Sequence, residues 1–172
     1  MSRFKNLQKQ LGFFTAVSFY RKLKSGNLSN LRTGNLVHQF NLRNNPFDYA
    51  TFEEVILNEA YNIPFGFEPK FIIDGGGNIG LTACFFASKF PAAAIITIEP
   101  DTDNYNLLQL NCKAYANIQT LQCGIWKNDT HLKIENTHAG NNAFTVIQTK
   151  EAGADTIKAL TVLSVLEQFN MP

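Results

Sequence analysis

Residues 71–80 read Phe-Ile-Ile-Asp-Gly-Gly-Gly-Asn-Ile-Gly, an apolar run that halts at a carboxylate and breaks at once into glycines. Three consecutive apolar residues stopped by a turn signal suit a strand buried on both faces, and the glycines let the backbone bend sharply and come close to a ligand. From Ile79 the apolar spacing turns helical. The stretch therefore reads as strand, tight loop and helix, the arrangement that sets a nucleotide-like ligand at a helix N-terminus.

Two motifs overlap in it. Gly75, Gly77 and Gly80 satisfy the dinucleotide pattern G-x-G-x-x-G, whereas Asp74, Gly76, Asn78 and Gly80 satisfy the D-x-G-x-[G/N]-x-G pattern of S-adenosylmethionine binding. Charge weighs between them. A dinucleotide lays a pyrophosphate over the loop, and a carboxylate about 4 Å from it costs on the order of 4 kcal/mol at an effective dielectric near 20. S-adenosylmethionine has no phosphate, and its sulfonium and ammonium are cationic, so an acid at the strand tip suits it.

The second half of the constellation is Ala94-Ile-Ile-Thr-Ile-Glu99-Pro100-Asp101, another apolar strand that ends in an acid. It follows a crossover helix closed by Pro91, and such a crossover is right-handed, so Glu99 emerges beside the glycine loop at the same sheet edge. Its two oxygens suit a pair of ribose hydroxyls. Nicotinamide enzymes carry an acid at a comparable distance, so Glu99 supports an adenosine ligand of either kind.

The run Asp-Gly-Gly-Gly-Asn-Ile-Gly, then Ile-Glu-Pro-Asp, then the helix Asn104–Asn111 closely resembles the FkbM-type methyltransferases, a class I S-adenosylmethionine-dependent family. Asp48-Tyr-Ala-Thr-Phe-Glu-Glu-Val55 is similar to the segment that leads into that domain, and the similarity covers roughly residues 46–170. The resemblance implies a Rossmann-like doubly wound α/β sheet and methyl transfer to a hydroxyl oxygen of a small molecule or sugar. It implies that Asp74 holds the methionine end of the cofactor, that Gly76, Asn78 and Gly80 shape the loop, that Glu99 holds the ribose and that Pro100 fixes the turn after it. Asp101 is expected to cap the next helix, and residues around Cys123 and Gly124 to border the adenine. No residue reads as a catalytic base. The family often has Ala where Gly77 stands and an acid where Ser164 stands, and the first difference is expected only to loosen the loop.

Length and composition fit one α/β body. The chain has 172 residues, 45% of them hydrophobic, with no apolar run long enough to span a membrane. A net charge of +1 argues against a nucleic-acid binder with a basic surface throughout. The charges are unevenly placed: Arg3, Lys5, Lys9, Arg21, Lys22, Lys24, Arg32 and Arg43 precede the first acid, Asp48. Phe4, Leu7, Leu11, Phe14 and Val17 run through that arm at near-helical spacing. The first reading is an amphipathic helix docked on the body, the second is a peripheral membrane contact, and a cleaved signal peptide ranks last because the apolar stretch Leu11–Tyr20 is short, contains polar residues and is followed by no convincing small-residue cleavage site. Cys84, Cys112 and Cys123 are odd in number and lack C-x-x-C spacing, so they read as core residues of a protein in a reducing, cytoplasmic setting. His38, His131 and His138 lack the spacing of metal ligands.

The expected organisation is a basic N-terminal helix and small hairpin over residues 1–45, then the N-terminal part of a methyltransferase domain over 46–172. Helices are expected at Phe52–Tyr61, from Ile79, and from about Asp103 to Tyr115, with a strand at Ile118–Cys123. Short runs at His131–Glu135, Ala143–Gln148 and Ile157–Val162 look antiparallel, with turns at Gly140-Asn141-Asn142 and at Gly153. A doubly wound sheet places its ligand where strand order reverses, and a convincing fourth parallel strand does not occur before Pro172. The chain is therefore expected to be the N-terminal portion of a longer protein, with a free edge on the strand at Phe71. A nicotinamide-dependent oxidoreductase and a non-catalytic binding module are the competing functional readings.

Overall fold

The computed structural model describes residues 3–134, 146–149, 152–153 and 155–170. Its centre is a parallel three-stranded sheet, β1 (Phe71–Gly75), β2 (Ala94–Ile98) and β3 (Ile118–Leu121), in the order β1-β2-β3. Asp74 is in register with Thr97, and Gly75 with Ile98. The crossovers are α4 (Leu81–Lys89) and α5 (Thr102–Cys112). β2 is buried almost throughout, as its Ile-rich run demands, but β1 is only half-buried. β1 has a neighbour on one side alone among the described residues, which accounts for the difference.

Strand alternation sends side chains to two cores. Ile72 and Ile95 face the larger, with α4, α5 and the N-terminal helices, whereas Phe71, Ile73, Ile96 and Ile98 face the smaller. The smaller core is closed by Leu160 and by Val165 of α6 (Val162–Gln168). Asp129, distant in sequence, receives the Thr161 amide at 2.7 Å and the Ser164 hydroxyl at 2.7 Å, while Thr161 caps α6.

The extension beyond β3 is a second sheet of β4 (Gly124–Ile125), β5 (Thr130–Ile134), β6 (Val146–Thr149) and β7 (Thr156–Leu160), in the order β4-β7-β5-β6. It is mixed rather than wholly antiparallel. β5 pairs antiparallel with β6 and β7, and β7 runs parallel to β4. Gly153 accepts from the Thr156 hydroxyl in the expected turn; the expected turn at 140–142 lies outside the described residues.

The N-terminal arm is two helices, α1 (Arg3–Leu11) and α2 (Phe13–Ser25), separated by Gly12 at φ 78°, a conformation that favours glycine. Residues 27–43 form no regular hairpin among these contacts; Leu31 and Phe40 make a single antiparallel bridge, because Leu28, Leu31, Leu36, Phe40 and Leu42 all turn into the larger core. The next helix begins at Pro46, not Phe52: Asn45 caps α3 (Pro46–Phe52) by accepting the Asp48 amide at 2.8 Å. It continues as a π-helical turn, Glu53–Leu57, in which Val55, Ile56 and Leu57 are all in the core. Glu59, at φ 48°, ends it before Tyr61.

Candidate cofactor site

The glycine loop is built by spending its own amides. Gly76 and Gly77 both donate to the Ile98 carbonyl, at 2.9 and 2.8 Å, so the loop folds back over the end of β2. The Asn78 amide donates to Glu99 Oε2 at 2.8 Å, and the Gly80 amide to the Gly77 carbonyl at 2.8 Å. This curl needs left-handed backbone at Gly76 (φ 86°), Asn78 (φ 50°) and Gly80 (φ 84°), which glycine adopts freely and asparagine tolerates. Asn78 is tied down further by its side-chain amide, which donates to Thr51 Oγ1 of α3 at 3.1 Å.

Glu99 stands at the end of β2 as expected and is only 6% exposed. Its second oxygen, Oε1, accepts the Asp101 amide at 3.0 Å across Pro100, which spaces the two acids. Burial pushes the Glu99 carboxyl above the ordinary carboxylate range, against the pull of the Asp101 and Asn78 amides. The Asn104 side chain also stabilises the charged form, and a carboxylate has about four acceptor positions in all, so capacity remains for a ligand hydroxyl. Asp101 caps α5 by accepting the Asn104 amide at 2.9 Å.

Asp74 lies one layer beneath. Its Oδ2 accepts the Thr97 hydroxyl at 2.8 Å, and desolvation raises its pKa while that hydroxyl opposes the rise. Burial and the Thr97 hydroxyl are the influences on Asp74, and no cation among the described residues is paired with it.

Loop and helices are closely fitted. A Cβ on Gly80 would come within 3.2 Å of Leu108 Cα and 3.0 Å of Cys112 Sγ, so this glycine lets α5 cross the loop. Gly77 goes beyond the expectation that glycine in place of alanine only loosens the loop: a Cβ there would fall on Thr97 Oγ1 and 2.8 Å from Leu108 Cδ1, so the packing here has no room for alanine. Thr97 occupies the room that a methyl would need.

The structure thus brings Gly76, Asn78, Glu99, Pro100 and Asp101 together at one end of the sheet, with Asp74 below and Gly80 packed under α5. Sequence reasoning missed Thr97, Thr51 and a brace behind the site. In that brace Arg43 donates to Asp48 at 2.7 Å and to Asn104 at 2.7 Å, joining the arm, α3 and α5. The adjacent thiols are not nucleophiles. Cys84, 3.9 Å from Cys112, is held well above the ordinary thiol pKa by that neighbour and by burial, and burial pushes Cys123 to about 11.

No family model matches the chain. Two curated proteins do. Methyltransferase 1 of Beauveria bassiana (strain ARSEF 2860) is 29% identical over 85 residues, covering 48% of this chain and 34% of the relative. Methyltransferase sdnD of Sordaria araneosa is 32% identical over 77 residues, covering 43% and 30%. The match thus spans about a third of the length of these relatives. Among solved structures, the methyltransferase FkbM of Methylobacillus flagellatus KT aligns at a TM-score of 0.44 with 15% identity, over 94% of this chain and 37% of that one. The Asp-Gly-Gly-Gly-Asn-Ile-Gly loop and the Ile-Glu-Pro-Asp strand end are the features that resemble the FkbM-type methyltransferases, and over less than half of its length the chain is similar to two curated methyltransferases.

Proposed function

We propose that this chain binds S-adenosylmethionine and serves transfer of its methyl group to a hydroxyl oxygen of a small molecule or sugar. One observation carries the cofactor choice: the loop amides at positions 76, 77, 78 and 80 are all consumed inside the protein, and the charges beside them are two carboxylates. A pyrophosphate needs free amides and no nearby anion. A cationic ligand with a ribose diol needs the reverse.

The donor set fits the cofactor. Asp74 would supply charge to its methionine end, Glu99 would accept from the ribose hydroxyls, and Gly76, Asn78 and Gly80 would keep the loop clear. The cofactor supplies a methyl on a good leaving group, so holding the acceptor oxygen close and in line provides much of the rate. Neither acid is proposed as the base, since Asp74 holds Thr97 and Glu99 holds two amides. The acceptor class rests on the family resemblance.

Isothermal titration of the 172-residue chain with S-adenosylhomocysteine and with NAD tests the reading. S-adenosylhomocysteine is expected to bind and NAD not to; preference for NAD rejects the proposal. Glu99→Ala is expected to weaken S-adenosylhomocysteine binding by about 1–3 kcal/mol through lost charge-assisted hydrogen bonds. Unchanged affinity in a folded variant would remove Glu99 from the site.

A further inference from the structure

The arm turns nearly all of its large apolar residues inward: Leu7, Ala16 and Phe19 are core, with Phe4, Leu11, Tyr20 and Leu23 packed against it. Its bend does not. Directly after Gly12, Phe13 and Phe14 stand 55% and 86% exposed, their rings edge to face at 5.7 Å. Two adjacent aromatic rings left in water at a helix start mark a contact surface.

The surrounding charge says what kind. The arm carries eight cations and no acid before Asp48. The acids that reach it from the body are engaged on its inner side, Asp48 by Arg43 and Glu53 by Asn6. Arg3, Lys5, Lys9, Arg21, Lys24 and Arg32 are exposed. Phe14 lines a shallow cavity of about 310 Å³ together with Lys22 and Arg32, so apolar wedge and cations share one surface.

We propose that the Phe13–Phe14 bend docks on an anionic lipid bilayer, the two rings seated at the boundary of headgroups and acyl chains and the cations against lipid phosphates. A second copy of the chain fits the surface poorly. Two rings fall far short of the roughly 800 Å² per partner of a stable interface, and two like-charged arms repel.

Sedimentation of the 172-residue chain with phosphatidylcholine vesicles, with and without phosphatidylserine, tests this. Binding is expected only to the anionic vesicles, falling as salt is raised. Phe13→Ser/Phe14→Ser is expected to weaken it about ten-fold or more with unchanged thermal melting, since both rings are exposed. Equal binding of parent and variant, equal binding to neutral vesicles, or none at all overturns the proposal. So does tighter binding to single-stranded DNA than to vesicles, or a dimer in sedimentation velocity that the double variant abolishes. None of these outcomes depends on whether the glycine loop binds S-adenosylmethionine.

Discussion

Asp74 holds a desolvated carboxyl against a hydroxyl and no described cation. Its folded pKa is raised, so the proton it takes up favours the fold fully below the unfolded value, and that advantage is lost as pH rises through the folded one. Asp74→Asn removes the buried charge and leaves an oxygen for Thr97. The variant is expected to melt above the parent at neutral pH, with the gap narrowing as pH falls until both side chains are neutral. The same variant is expected to bind S-adenosylhomocysteine, with its cationic ammonium, more weakly by titration calorimetry. Gly77→Ala should destabilise by about 1–3 kcal/mol in urea, because the methyl collides with Thr97 and Leu108. Adding Thr97→Ala should recover part of that loss, and strict additivity of the two substitutions would show that they do not meet.

Among elements, α5 depends on its cap. Asp101→Ala removes the acceptor of the Asn104 amide and should cost about 1 kcal/mol, read from urea unfolding. That cap, β1, β2 and the loop between them were legible because each is encoded within a few consecutive residues. The Ile-rich runs name the strands, the glycines name the curl, and the acid after each strand names its tip. The start of α3 also had a local sign, Asn45 before Pro46, which apolar periodicity alone passes over. The π-helical turn had none, since it exists to seat three successive side chains in a core supplied by other segments. In the site, Thr97 meets Asp74 across a gap of 23 positions, Asn78 meets Thr51 across 27, and Arg43 meets Asn104 across 61. Pairings at that range come from tertiary packing, and no spacing within one segment announces them.

At the scale of the molecule, Arg43 is the clasp between arm and body. Its partner Asp48 is 1% exposed while the Arg43 side chain is 32% exposed, so Arg43→Ala leaves a buried carboxylate without the partly exposed cation that pairs with it. The expected loss is about 2 kcal/mol, below that of a wholly buried pair, measured by urea unfolding. The arm is joined to the body by more than this clasp. Phe19 of α2, Phe52 of α3 and Phe40 of the connecting loop lie in a near-parallel column, with centroids 4.6 and 5.7 Å apart. A gene trimmed to start at Asn45 would encode Phe52 without either companion, and its product is expected in the insoluble fraction of a lysate; a cloning boundary that keeps the column has to fall ahead of α2.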